Sequence, residues 1–147
     1  GMGSELKNIL NKIKELHLED KVIYEGAYPI EKAEAYYENA DALVVSLKDE
    51  GYVGKTIPNK AIQYMKYSRP ILCVAKGDAL DMLKNAKGSV FAEQNPEDIA
   101  KAIDEICALN DKEKLTLGEN NKKYFDANFT VDELTQKLAN ELISCKK

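Results

Sequence analysis

Strand-like and helix-like patterns alternate along this chain, and the alternation predicts an α/β fold, a doubly wound parallel sheet with helices on both faces. Three observations carry the prediction. The short, almost wholly apolar runs at residues 42–47 (ALVVSL) and 70–75 (PILCVA) read as strands buried on both faces, as in a parallel sheet. Between such runs, apolar residues recur three and four apart, the helical period. Residues 50–69, EGYVGKTIPNKAIQYMKYSR, set a loop with Gly51 and Gly54 between a strand and a helix start, the kind of junction where open α/β sheets hold ligands.

Ser4 is a good cap for a helix over residues 5–17, whose Leu6, Ile9, Leu10, Ile13 and Leu16 fall at helical spacing. Residues 21–24 (KVIY) read as a short buried strand ended by Gly26, and Ala27-Tyr28-Pro29 as a turn. A helix over 31–39 offers Ala35, Tyr36 and Ala40 to a sheet, and Asp41 closes the connection to strand 42–47. Beyond the glycine loop come a helix over 59–67 and strand 70–75. Lys76-Gly77 is a turn, Asp78 an N-cap, and 79–86 a helix, with Gly88 where a C-terminal glycine belongs. Residues 89–92 form another strand. Asn95-Pro96-Glu97-Asp98 then places cap, proline and acids as a helix start wants them, and Ile99, Ile103 and Ile106 give that helix a buried stripe. A more polar helix covers 111–125. Thr130 and Glu133 make a capping box for a last helix with Leu134, Leu138 and Leu142 on one face. No linker divides residues 1–147, which read as one domain. A glycine turn and helix open the chain with no strand before them, so a first strand, or more, is expected to be missing.

The net charge of −4 excludes general nucleic-acid binding, which wants a basic face, but leaves room for a local phosphate pocket. No apolar run approaches the roughly 20 residues of a membrane span. The three cysteines are far apart: Cys73 sits in an apolar strand, Cys107 on an apolar helix face, and Cys145 near the end. They read as reduced thiols of a cytoplasmic protein, not as a disulfide frame or a metal site. His17, the lone histidine, ends a helix and has no Cys or His beside it; a capping role fits it better than catalysis.

The loop at 50–57 and the helix start at Pro58-Asn59-Lys60 suggest an anion site, because free backbone N–H groups and the positive end of a helix dipole converge there. A cation in a first helical turn opposes the dipole, so Lys60 is explained by an anion; the alternative is a solvated surface lysine.

Several stretches, in register, resemble the C-terminal half of GT-B-fold glycosyltransferases that use nucleotide sugars, of the retaining type that builds bacterial surface polysaccharides. They are GMGSELKNI, LEDKVIYEGAYPIEKAEAYYENADALVV, TIPNKAIQYMKYSRPIL, NPEDIAKAI and LGENNKKYFDANFTVDELTQKL. The resemblance implies a Rossmann-like donor-binding domain, one half of a GT-B fold, without its acceptor half. It also implies a nucleoside diphosphate sugar as donor, UDP being the commonest nucleotide, and a saccharide or lipid-linked acceptor. Lys60 becomes the leading cation for the diphosphate and Lys55 the second, with Gly51, Ile57, Pro58 and Asn59 around it. Glu50 is a candidate for contact with the sugar, while Gly26, Ala27 and Tyr28 lie beside the base. Gln63 stands where the family usually has a glutamate that holds the ribose, and Ser68 where it has a small residue or glycine. No metal or other cofactor is expected.

On this reading the chain is a transferase half, inactive alone, that works with an acceptor half. Peripheral membrane association would come through that missing half, and the face left open would allow homo-oligomers. The rival is a truncated, non-catalytic nucleotide-binding or interaction module, which Gln63 and the missing start favour. A phospho-receiver is disfavoured, since Asp41 precedes its strand instead of following it.

Overall fold

The computed structural model describes residues 3–27 and 29–145. By its internal packing the chain parts into two units, Gly1–Tyr36 and Tyr37–Lys147.

In the first unit, α1 spans Leu6–Glu15 and buries Ile13. Glu5, not the expected Ser4, stands at its cap position and bonds no helix amide; its carboxylate accepts from Asn8 Nδ2 at 2.8 Å instead. His17 ends the turn in a left-handed conformation, φ 51°, its N–H returning to the Lys14 carbonyl at 3.1 Å. The expected strand at 21–24 does not form. The N–H groups of Lys21 and Val22 both turn back onto the Leu18 carbonyl, at 3.0 and 2.8 Å, which takes them out of any ladder. Val22 and Ile23 are exposed, so burial does not favour an extended run. The unit boundary falls within α2, Ile30–Asn39. Ala35 and Tyr36, expected to face a sheet, are exposed. Tyr37 takes the inward stripe instead, its ring 5.0 Å from that of Tyr64 and 5.2 Å from that of Tyr67.

The second unit is built on three parallel strands in the order β1 (Leu43–Ser46), β2 (Ile71–Val74), β3 (Ser89–Phe91). Leu43 pairs with Ile71, and Ile71 with Ser89. All four residues of the central β2 are buried, and alternation sends them to two cores. Ile71 and Cys73 join Val45 on one face, packed by Ala61 and Met65 of α3 (Asn59–Met65) and by Ala79, Met82, Leu83 and Ala86 of α4 (Gly77–Ala86). Leu72, Val74 and Val90 point to the other face, packed by Ala102 and Ile106 of α5 (Pro96–Ala108). Helices therefore cover both faces, as the alternating pattern requires. Burial on both faces fails at the edge strands: at β1 Leu43 and Val45 are buried but Val44 is 53% exposed, and at β3 Val90 is buried but Phe91 exposed. A continuous apolar run does not distinguish an edge strand from a central one, and β1 is an edge of this sheet.

The helix ends hold further corrections. Lys76, not Asp78, occupies the cap position of α4; Asp78 lies in the first turn and caps nothing. Ile103 is 47% exposed and Ala102 buried in its place, so the α5 stripe runs Ile99–Ala102–Ile106. Cys107, next along, is exposed, not on an apolar face. Asn95 does cap α5, accepting from the Asp98 N–H at 2.9 Å. Helix α6 runs Asp111–Asn128, longer than expected, behind an Asn110–Glu113 capping box with bonds of 3.0 and 2.8 Å. At α7 (Val131–Ser144) only one arm of the expected box forms, Glu133 N–H to Thr130 Oγ1 at 3.3 Å. Its Leu134, Leu138 and Leu142 are exposed.

Gly88 is not the C-terminal glycine of α4. Lys87 holds that left-handed position, φ 58°. A β-carbon makes this conformation costly. Lys87→Gly is therefore expected to raise stability by about 0.5–1 kcal/mol, part of the relief being lost to the freer unfolded chain. Urea denaturation of the two proteins checks it.

Candidate functional site

Because the three strands run parallel, the chain leaves all of them at one end of the sheet. There the Leu47 N–H bonds the Val74 carbonyl at 3.1 Å and the Ala92 N–H the Cys73 carbonyl at 3.0 Å. From the end of β1 a long loop carries the chain through a single 3-10 turn, Val53–Lys55, to α3. Loops of this length need fastening, and this one is held by groups from the ends of β2 and β3. The Gln94 side chain accepts from the Asp49 N–H at 3.2 Å and donates to the Leu47 carbonyl at 2.6 Å. Lys76 Nζ lies 3.0 Å from an Asp49 carboxylate oxygen and 4.0 Å from one of Glu93. Its pKa is raised, first by the bond to Asp49, then by the charges of Asp49 and Glu93, so it stays cationic across the neutral range. Gly77 adopts φ 61°, and a β-carbon there would meet the Gly54 carbonyl oxygen at 2.8 Å. Only glycine satisfies both the conformation and the approach.

The loop ends on Pro58, in the cap position with φ −73° and ψ 141°. Asn59 is the first helical residue of α3, and the cap position supplies no side-chain bond. The proline's fixed, extended backbone ends the loop one residue ahead of the asparagine. The Ala61 N–H bonds the Pro58 carbonyl at 2.9 Å. Ala61 and Met65 turn into the core, leaving Asn59 and Lys60 exposed and Gln63 half-buried. Lys60 and Gln63, three apart, share a side of the helix. Glu50 and Ile57 are exposed, and Gly51, also exposed, has φ 55°. Lys48, Lys55 and Lys60 form no ion pair among the described residues, although Asp49 and Glu50 lie in the same stretch.

The structure thus sets Glu50, Gly51, Ile57, Pro58, Asn59, Lys60 and Gln63 along one mostly exposed stretch after β1. Gly26 and Ala27 belong to the first unit, Gly26 with φ 86°, and Tyr28 lies outside the described residues. Three cavities of the second unit lie elsewhere. One of about 560 Å³ opens between Ser89–Val90, Leu109 and Leu117; one of about 300 Å³ is lined by Asp41, Arg69 and Lys114. The third, about 320 Å³ and lined by Lys76, Glu93 and Lys101, adjoins the loop's fastening. Lys60 and Gln63 line none of the three. Among the described residues no group of His, Cys, Asp or Glu could hold a metal ion, and no helix is long and apolar enough to cross a membrane.

Sequence reasoning missed Gln94, Asp49 and Lys76. Gly77 was the one available signal, a glycine just after a strand with no helix end to explain it.

The family of glycosyl transferases group 1 matches residues 1–124. Among solved structures, a sucrose-phosphate synthase from Thermosynechococcus elongatus shares the fold with a TM-score of 0.76 at 22% identity. The match covers 98% of this chain and 36% of that one, so the chain spans little more than a third of that enzyme's length. Among curated proteins, none matches.

Proposed function

The chain belongs to the group 1 glycosyl transferases, and from that premise we propose that it is the donor-binding half of such an enzyme. It moves a sugar, with retention, from a nucleoside diphosphate sugar, UDP-sugars first, to a saccharide or lipid-linked acceptor in surface polysaccharide synthesis. The acceptor half, absent from this sequence, completes the cleft and mediates any membrane contact. The chain alone is inactive in transfer and works in the cytoplasm.

One observation carries this reading: an α3 start with no side-chain cap, whose exposed Lys60 forms no ion pair among the described residues, at the end of a parallel sheet where open α/β folds bind ligands. Breaking the bond between the sugar C1 and a phosphate oxygen builds charge on the leaving diphosphate, and catalysis consists largely in meeting that charge. Lys60 supplies the nearest cation, Lys55 the next, and the uncapped amides further donors. Gln63, one turn on, bonds the ribose hydroxyls, while Glu50 meets the sugar. An open stretch in place of a closed cavity is what one wall of a two-walled cleft presents. The chemistry as drawn asks for no metal.

Titration calorimetry with UDP tests the assignment. Lys60→Ala is expected to weaken UDP about tenfold, the worth of a charge-assisted bond at an exposed site. Gln63→Glu is expected to tighten it by a similar factor, since a carboxylate bonds a hydroxyl more strongly than an amide does. Equal affinity in Lys60→Ala would remove that residue from the site. Gln63 itself favours the second reading, a non-catalytic module that has given up sugar transfer; a folded chain that binds no nucleoside diphosphate would decide for an interaction role.

A further inference from the structure

We propose that Gln94 is a positioning residue for the donor loop, an inference that rests on the donor-site reading above. The side chain reaches from the end of β3, past the central strand, to the outlet of β1. There its amide bonds two backbone groups of the loop at once, the Leu47 carbonyl at 2.6 Å and the Asp49 N–H at 3.2 Å. An amide is the one neutral side-chain group that can donate and accept side by side in this way, as a neighbouring strand would. The bonds therefore extend sheet-like pairing past the last residue of β1 and fix where the loop turns away.

The rest of the loop depends on that point. Asp49, once placed, receives Lys76 at 3.0 Å. Gly54 packs on Asp49 so closely that a β-carbon there would lie 3.0 Å from Asp49 Oδ1 and 3.2 Å from its Cα. Gly54 in turn abuts Gly77, and just beyond it stand Lys55, Pro58 and Lys60. Gln94 thus heads a line of contacts that ends at the cations assigned to the diphosphate. Being exposed and outside both cores, it does this without a part in the stability of the sheet. Its neighbour Asn95 is spent on capping α5, which anchors the Gln94 backbone while its side chain spans the gap.

Amide hydrogen exchange at Asp49 and UDP titration, both on the 147-residue chain, separate the two claims. Gln94→Ala and the length-matched Gln94→Met should each raise the Asp49 exchange rate about tenfold or more, as loss of the bond frees the local opening. Each should also weaken UDP about tenfold, with the thermal midpoint unmoved. Unchanged Asp49 exchange in both variants overturns the clasp. Faster exchange with unchanged UDP affinity overturns its role in donor binding. If the unaltered chain binds no UDP, the donor reading falls and the positioning role with it, while the exchange result still reports whether the clasp exists.

Discussion

Gly118→Ala should destabilise the chain by about 3 kcal/mol or more, lowering the thermal midpoint by roughly 10 °C. Gly118 lies in the middle of α6, where glycine is ordinarily a weakness of about 1 kcal/mol against alanine. Here the helix backbone rests on the turn that enters β2, and a β-carbon would fall well under 3.0 Å from the carbonyl oxygen and carbon of Ser68. Both are backbone atoms and do not rotate away. Ser68 already holds a left-handed conformation, φ 53°, and Arg69, next along, is tied by its guanidinium to the Glu38 carbonyl, so the turn has little room to retreat. Helix and sheet must move apart instead, opening the core around Met65, Ile71 and Leu83. Gly3, with nothing within 4 Å, is the control: alanine there should leave the midpoint in place. A melting experiment on the two variants decides the matter, and a Gly118→Ala midpoint within a degree or two of the parent would refute the close approach.

How much of the architecture was legible beforehand depends on the range of the interactions involved. Alternating strands and helices, the Asn95-Pro96 helix start and the two apolar strands at 42–47 and 70–75 are local signals, and they led to the α/β architecture. The strand expected at 21–24 shows the limit. Val22, Ile23 and Tyr24 have β-forming side chains, but a strand exists only when its amides find a ladder, and the Leu18 carbonyl takes those of Lys21 and Val22. The same limit hid the edge position of β1. At the site, the Gly51–Gly54 loop and the helix start at Pro58 could be placed from sequence to within a residue. The fastening could not. Gln94 lies 45 residues from Asp49 in sequence, and nothing in EQNP distinguishes its glutamine from a solvated one.

The two ends of the sheet are held together differently. At the outlet end the bonds are exposed and polar: Gln94 to the loop backbone and Lys76 to Asp49 and Glu93. Exposed ion pairs contribute little, so this end can adjust to a ligand at small cost. At the inlet end α6 lies against the strand starts with no such slack. The Lys114–Asp41 pair at 3.0 Å lowers the Asp41 pKa, first by the bond and then by the Lys114 charge. It too is exposed and contributes little; the close backbone approaches are what hold this end. Asn120 donates to the Lys87 carbonyl at 3.0 Å. Glycines 88 and 118 remove the side chains that would hold helix and turns apart. Rigidity at one end and looseness at the other is the division expected of a scaffold that carries its function in loops.

Asn121 makes the inlet end the more sensitive of the two. It is wholly buried. Its Nδ2 donates to the carbonyls of Arg69 at 2.9 Å and Gly88 at 2.7 Å, one leading into β2 and the other into β3. Asn121→Asp preserves the shape and replaces the donor with oxygen. At pH 7 a wholly buried carboxylate would face two carbonyl oxygens, an unpaired charge, and a loss of about 4 kcal/mol is expected. The pH dependence distinguishes this cause from a packing defect. Burial against carbonyls raises the pKa of that carboxyl in the folded state above its unfolded value of about 3.9. Below the unfolded value both states are neutral and the charge penalty is absent; the protonated acid can even donate to one of the two carbonyls. As pH rises from about 4 toward the raised folded pKa, the unfolded chain releases its proton first and the deficit grows. Urea denaturation at pH 4 and pH 7 should therefore show Asn121→Asp much closer to the parent in acid. Asn121→Ala leaves a cavity and takes the side-chain donor from the Arg69 carbonyl, while the Gly88 carbonyl keeps the Ile71 N–H at 3.2 Å; it should show a deficit of about 3 kcal/mol that does not change with pH. Parallel pH profiles for the two variants would mean that donation from Nδ2 is not what joins α6 to the strands.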